Sequence, residues 1–269
     1  MSNIRPAAVA GAFYPGTALA LEQDISVLLH DAERIELPAH PKAVIVPHAG
    51  YVYSGPIAAS AYAALAPMRD IVRRVVLLGP VHRVPVRGLA LPGTTAFSTP
   101  LGAVPIDQEA IKALVSLDQI VESAPAHAWE HSLEVQLPFL QTVLGEFKLV
   151  PLAVGDATAE EVAEVLDRLW GGPETLIVVS SDLSHYLPYD TACNMDQTTV
   201  QSVLELHTLH SHEQACGATP INGLIVAARH HHLVPHLLDL RNSGDTAGDK
   251  EHVVGYAAFA FLEEARDVH

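Results

Sequence analysis

The chain has 269 residues, 49% hydrophobic and 17% charged, which is apolar enough for one large core and too sparsely charged for a disordered chain. Its 31 acidic residues outnumber 15 basic ones, and the formal net charge of −16 argues against nucleic acid or an anionic membrane as partner, since phosphates would be repelled before contact. Two cysteines exclude a disulfide framework, and no window approaches the roughly 20 apolar residues of a membrane helix.

The opening stretch MSNIRPAAVAGAFYPG has no long apolar run and no cleavage signature, so a cytoplasmic protein with reduced thiols is expected. KAVIVP (42–47) then reads as a strand and GPIAASAYAALAPM (55–68) as an Ala-rich helix. RRVVLLGP (73–80) is a second strand, followed by a Gly-, Pro- and Thr-rich stretch from 88 to 105 that reads as an irregular or hairpin insertion. A helix is expected over 130–145, kinked at Pro138, before a third strand at 147–155. TAEEVAEVLDRLW (158–170) has a Thr cap and first-turn glutamates, as a helix start requires. A strand at 174–182, a helix at 196–209, another helix after Cys216 and a strand at 253–262 complete the series.

The strands lack polar alternation, which suits burial on both faces in a mostly parallel sheet. Alternating strands and helices give an α/β fold, a mostly parallel central sheet with helices on both faces. No repeat, low-complexity segment or linker interrupts it, so residues 1–269 form a single domain.

Sites in open α/β sheets form outside the carboxyl ends of the strands. His48 follows the first strand, His82 the second, and Asp182 and His185 the strand that ends in VVSSDLSHY. Three strand ends thus deliver metal-competent or acid/base groups to one side of the sheet. His48 alone could be a satisfied turn histidine. Pro47 and Gly50 fix its turn, and Tyr51 and Tyr53 bring hydroxyls that could line a pocket. Asp182 reads as the cap of a helical turn, able to orient an imidazole or bind metal, with His185 three residues on as a general base. Glu130 and His131 are taken as pocket-lining, with His127 as a substitute for His131; EHSLE is not the HExxH of zinc proteases, and Glu134 is not an obvious ligand. Cys216 precedes a helix whose dipole would favour its thiolate, as nucleophile or soft ligand, whereas Cys193 reads as a small buried thiol. Arg241 to Thr246 reads as a turn whose backbone could bind an anion. His230, His231 and His232 read as a solvated helix end. The GxGxxG, GxxxxGK[ST], GxSxG and CxxC motifs are absent.

Taken together, RPAAVAGAFYPG, PHAGYVYSG, LGPVH, EHSLEVQLPFL, SSDLSHY, ACGATPI and NSGDT resemble, in that order, the Memo family, also called AmmeMemoRadiSam system protein B, from Arg5 to about Thr246. The resemblance implies a fold similar to the class III extradiol dioxygenases, with a non-haem metal pocket at the strand ends. It implies His48, His82 and Cys216 as metal ligands, with Asp182 and His185 beside them. The metal implied is Fe(II), with Cu or Zn as alternatives. It further implies an AMMECR1-domain protein and a radical-SAM protein as partners. Oxygen-activating Fe(II) sites commonly present two histidines and a carboxylate. A thiolate in third place alters that chemistry, so redox or oxygen-linked chemistry is expected and ring cleavage is not. The alternatives are a non-catalytic module for a phosphorylated or other anionic peptide or partner protein, and a zinc-type hydrolase.

Overall fold

The computed structural model describes residues 3–33 and 35–263. The chain begins with β1 (Ile4–Arg5), α1 (Ala18–Asp31), β2 (Pro41–Val46), α2 (Tyr51–Ala64), β3 (Arg74–Pro80), β4 (Leu89–Leu91), β5 (Ala96–Thr99) and β6 (Gly102–Pro105). It continues through α3 (Gln108–Lys112), β7 (Ile120–Glu122), α4 (Ala124–Ala128), α5 (Leu137–Val143), β8 (Lys148–Val154), α6 (Ala159–Leu169) and β9 (Thr175–Ser180). The last elements are β10 (His185–Leu187), α7 (Tyr189–Leu204), α8 (Ala218–His230), β11 (Leu233–Asn242) and β12 (Val253–Glu263).

All five expected strands form. Four lie side by side as a parallel block in the order β2-β9-β3-β8, with Val44 opposite Val178 and Val76 opposite Ile177. Antiparallel strands extend this block on both sides: β12, paired with β10 and β11, beyond β2, and β4, itself parallel to β7, beyond β8. The large sheet is therefore mixed, with its parallel part at the centre. A separate small sheet joins β1 to the β5–β6 hairpin, which fulfils the hairpin expected after Gly88.

Side chains of the parallel strands alternate between two apolar faces, as the pleat dictates. Val44, Val46, Val75, Leu77 and Val178 pack with Ile25 of α1, Ile57 of α2 and Leu140 of α5. Ala43, Ile45, Val76, Leu78 and Val179 pack on the other face with Val162 and Leu166 of α6 and Leu224 and Ile225 of α8. Both faces being covered, neither could keep polar residues, and that is why the sequence shows runs instead of alternation. Thr158 closes a full capping box with Glu161 at the start of α6.

Pro138 does not kink a long helix. It occupies the first turn of α5, where its missing N–H has no intrahelical acceptor to lose, and residues 134–136 form a separate 3-10 turn. Glu134 in that turn is fully buried and ties down the N-terminal segment. Its carboxylate accepts bonds from Arg5 Nη1 (2.5 Å), the Ala8 and Val9 N–H groups and the Tyr14 hydroxyl. The Arg5 guanidinium also donates to the carbonyls of His127 and Glu130. The RPAAVAGAFYPG stretch is thus fastened to the segment that carries Glu130 and His131. Among the described residues, no helix is long and apolar enough to cross a membrane.

Candidate metal centre

Strands β2, β9 and β3 are consecutive in the sheet and parallel, so their carboxyl ends open side by side. His48 follows β2 by two residues, Asp182 follows β9 by two, and His82 follows β3 by two. His131 arrives from the other direction, in the turn between α4 and the 3-10 turn at Glu134–Gln136. Ligand atoms of His48, His82 and His131 all lie within 4.8 Å of one another. The rings of His82 and His131 stack at 4.8 Å, and His48 meets both edge-on. His48 is 2% exposed while His82 is open to solvent, so the cluster has a dry floor and an accessible side.

Hydrogen bonds fix which nitrogens face inward. Ser180 Oγ donates to the Ser132 carbonyl at 2.6 Å and accepts from Gln136 Nε2 at 2.7 Å. With its proton committed, it can only accept from His48 Nδ1–H at 3.0 Å, which leaves His48 Nε2 with a lone pair. His82 Nδ1–H donates to Glu130 Oε1 at 2.9 Å, which likewise frees its Nε2. Glu130 also accepts from the backbone N–H groups of His82, His131 and Ser132. Burial pushes its pKa up, but these donors outweigh burial and hold it down to about 2. A carboxylate behind a histidine whose far nitrogen is free is the arrangement that orients metal-binding imidazole.

Desolvation and the neighbouring His82 pull His48 down to about 3, and desolvation and His48 pull His131 down to about 4. Both rings are neutral at physiological pH, the form that ligates metal. Cys216 Sγ lies 3.3 Å from His48 Nε2 and 3.8 Å from Ser181 Oγ. Donors at ordinary Zn–N and Zn–S lengths around a tetrahedral ion stand roughly 3.5 Å apart, so this spacing is compatible with a shared cation. Imidazole and sulfur donors suit Fe, Cu or Zn and not Mg or Ca. The residues present fit a transition metal.

The structure places the other expected residues as follows. Asp182 does not cap a helical turn, because the chain runs on into β10. Its Oδ1 accepts the His48 backbone N–H at 2.7 Å, Oδ2 lies 3.9 Å from His48 Nε2, and burial raises its pKa. His185 sits in β10 with Nδ1–H donating to the Leu183 carbonyl at 2.8 Å, which leaves Nε2 as an acceptor. The following Tyr186 is held at φ 56°, an uncommon conformation for an aromatic residue, and is largely exposed. Cys216 does precede α8, and the Gly217 N–H at the helix start favours its thiolate, but burial and the charge of Asp182 outweigh it and push the thiol up to about 12. Glu130 lies beneath the pocket and orients His82. Tyr51 belongs to the core, its hydroxyl donating to the Val135 carbonyl and its ring packing on Tyr14 and Phe139. Tyr53 is partly exposed on the first turn of α2. His127 lies elsewhere, bonded to the Ala90 carbonyl. The polar groups of the Arg241–Thr246 turn are taken up within the protein, Asn242 and Asp245 capping each other while Asp245 accepts from the Tyr189 hydroxyl and Ser243 Oγ from the Val254 N–H. His230 and His231 both pair with Asp167 at 2.9 Å.

His131 is the residue that sequence reasoning undervalued, placing it as lining. The available signal was its position directly after Glu130; the folding-back that brings it to His48 is fixed by Arg5, far away in the chain, which grips the Glu130 carbonyl and the Glu134 carboxylate.

Residues 5–260 match the family model described as Memo-like protein. A protein of Sulfolobus acidocaldarius described as a MEMO1 family protein is 36% identical, the alignment covering 96% of this chain and 99% of that one. Proteins of the same description from Aeropyrum pernix (38% identical, 95% and 99% covered) and Aquifex aeolicus (36%, 97% and 100%) are similarly related. An uncharacterized protein of Escherichia coli K12 shares the fold, with a TM-score of 0.50 at 15% identity over 80% of this chain and 98% of that one. On a match that runs almost end to end, the chain belongs to the Memo-like protein family.

Proposed function

We propose that the cluster is a mononuclear metal centre, with imidazole ligands from His48, His82 and His131 and a thiolate from Cys216, and that Fe(II) is its preferred metal over Cu or Zn. The observation that carries this reading is the pair of fixed lone pairs, His48 Nε2 set by Ser180 and His82 Nε2 set by Glu130, with His131 inside the same 4.8 Å. A redox metal there would supply electron transfer to or from a small oxygen-containing substrate. Cys216 raises electron density at the site, His185 holds or releases a proton at Nε2, and Asp182 fixes the His48 backbone and balances charge. An AMMECR1-domain protein and a radical-SAM protein belong to the same proposal, on the family resemblance alone.

The buried carboxylates of Glu130 and Asp182 around the cluster oppose an anionic peptide as ligand, which disfavours the binding-module reading. A zinc-type hydrolase would use the same residues to polarise water, and the metal found in the protein separates the two.

The test is elemental analysis of anaerobically purified protein, with Fe(II) reconstitution, for wild type, His48→Ala, His131→Ala and Cys216→Ser. About one equivalent in wild type, absent from His48→Ala and reduced in the other two, is expected. Negligible metal in wild type after reconstitution overturns the proposal.

A further inference from the structure

A cavity of about 290 Å³ lies between the N-terminal segment and α4, with walls that include Ile4, Ala8, Pro92, Thr94, His127 and Trp129. None of the three clustered histidines lines it. Two of its wall residues carry buried polar atoms that find no hydrogen-bond partner among the described residues, His127 Nδ1 and Thr94 Oγ1. His127 is 1% exposed, and its Nε2–H donates to the Ala90 carbonyl at 2.8 Å. A carbonyl can only accept, so Nε2 carries the proton and Nδ1 presents a bare lone pair. Burial keeps the ring neutral, its pKa pulled down to about 4. The Thr94 hydroxyl brings a proton of its own.

The one charged lining residue, Arg5, makes four hydrogen bonds, to Glu134 and to the carbonyls of Pro6, His127 and Glu130. Glu134 already pairs with its charge, so the cavity wall offers no uncompensated cation to a carboxylate or phosphate. Ile4, Ala8 and Pro92 offer aliphatic surface, and Trp129, 67% exposed, stands at the rim with an aromatic face. The volume lies just under the range of drug-sized sites and admits a single ring. A hydroxyl group has the chemistry both atoms lack, a proton for a lone pair such as that of His127 Nδ1 and a lone pair for a donor such as the Thr94 O–H.

We propose that this cavity binds a small neutral molecule of one ring bearing one hydroxyl, of the phenol class. The competing occupant is a single ordered water, which would satisfy the same two atoms without selecting a ring.

The experiment titrates phenol into ¹⁵N-labelled full-length protein and follows the indole N–H signal of Trp129. Toluene, nearly identical in shape but without the hydroxyl, runs beside it. Phenol is expected to shift the signal saturably and to bind at least threefold to about tenfold tighter than toluene, the range set by one net hydrogen bond. Thr94→Val should weaken phenol by about the same factor and leave toluene unchanged. His127→Phe should erase the preference for phenol; if that variant fails to fold, Thr94→Val decides alone. A Trp129 signal that phenol does not move, equal affinity for phenol and toluene, or indifference to Thr94→Val overturns the proposal, the first of these assigning the cavity to water. Metal content should be the same in wild type and Thr94→Val, so failure here and failure of the metal-centre reading are told apart.

Discussion

Glu130 holds His82 twice, its Oε1 accepting the ring Nδ1–H at 2.9 Å and its Oε2 accepting the backbone N–H at 2.7 Å. One carboxylate therefore sets the direction of the imidazole and the position of the chain that carries it. Because the same carboxylate accepts the His131 N–H, two of the three clustered histidines depend on it.

Glu130→Gln keeps the shape but loses the charge and one strong acceptor. Metal affinity, measured by chelator competition, should fall about 10- to 100-fold, the usual cost of losing an orienting partner. Unchanged affinity in a folded variant would mean that His82 is oriented by something else.

Metal binding should release protons in a way that reveals the ligand set. His48 and His131 are already neutral at pH 8, whereas the Cys216 thiol, pushed up to about 12, is still protonated. Recruiting Cys216 as thiolate therefore expels close to one proton per metal, and Cys216→Ser should expel about none. Calorimetry in buffers of different ionisation enthalpy counts the protons. Equal release from both proteins would remove Cys216 from the coordination sphere.

Acidification should weaken the metal-free protein well above the range of carboxylate titration. The folded-state values of His48 (about 3), His127 and His131 (about 4) lie below that of free imidazole, about 6.5. Between about pH 6.5 and pH 4 the unfolded chain binds protons that the folded chain refuses, so stability falls as pH falls. Each histidine contributes up to roughly 1.4 kcal/mol per pH unit over that window. Urea midpoints measured from pH 7 to pH 5 should drop, and drop less steeply in His131→Asn. A flat profile would show that these rings accept protons without unfolding.

Glu134→Ala should be among the most damaging substitutions outside the cluster. It leaves the buried Arg5 guanidinium without its partner and three further donors without an acceptor. A loss of about 3–5 kcal/mol is expected for breaking a buried pair in this way. Thermal melts give the size of the loss, and early cleavage by protease near residues 5–14 gives its location. A variant that melts like wild type would show that the N-terminal segment is held by its apolar contacts alone.

The parts legible in the sequence were those with a local signature. The strands of the parallel block announced themselves as unbroken apolar runs because both their faces are covered. The convergence of His48, His82 and Asp182 followed from that, since adjacent parallel strands end on one side of the sheet. What escaped was set by distant residues. The three-residue strands β4, β7 and β10 are too short to show a period, and their pairing comes from longer neighbours. His131 joins the cluster through a turn pinned from the N-terminal segment by Arg5, which bonds the Glu130 carbonyl and the Glu134 carboxylate. At Cys216 a local argument, the helix end, pointed one way, while burial and Asp182 pointed the other and prevailed.

Strand β2, which leads into His48, is bracketed by β9 on one side and by β12 on the other, with Ile45 opposite both Val179 and Phe259. A growing polypeptide that has not yet reached Val253 has β2 as a bare edge, and one that has not reached Thr175 has it without either neighbour. Loop closure over such long separations is slow and comes late in folding. The nascent chain on a ribosome therefore emits His48 and His82 long before a rigid site exists to hold them, and on the proposed reading of the cluster any metal would be loaded after synthesis ends.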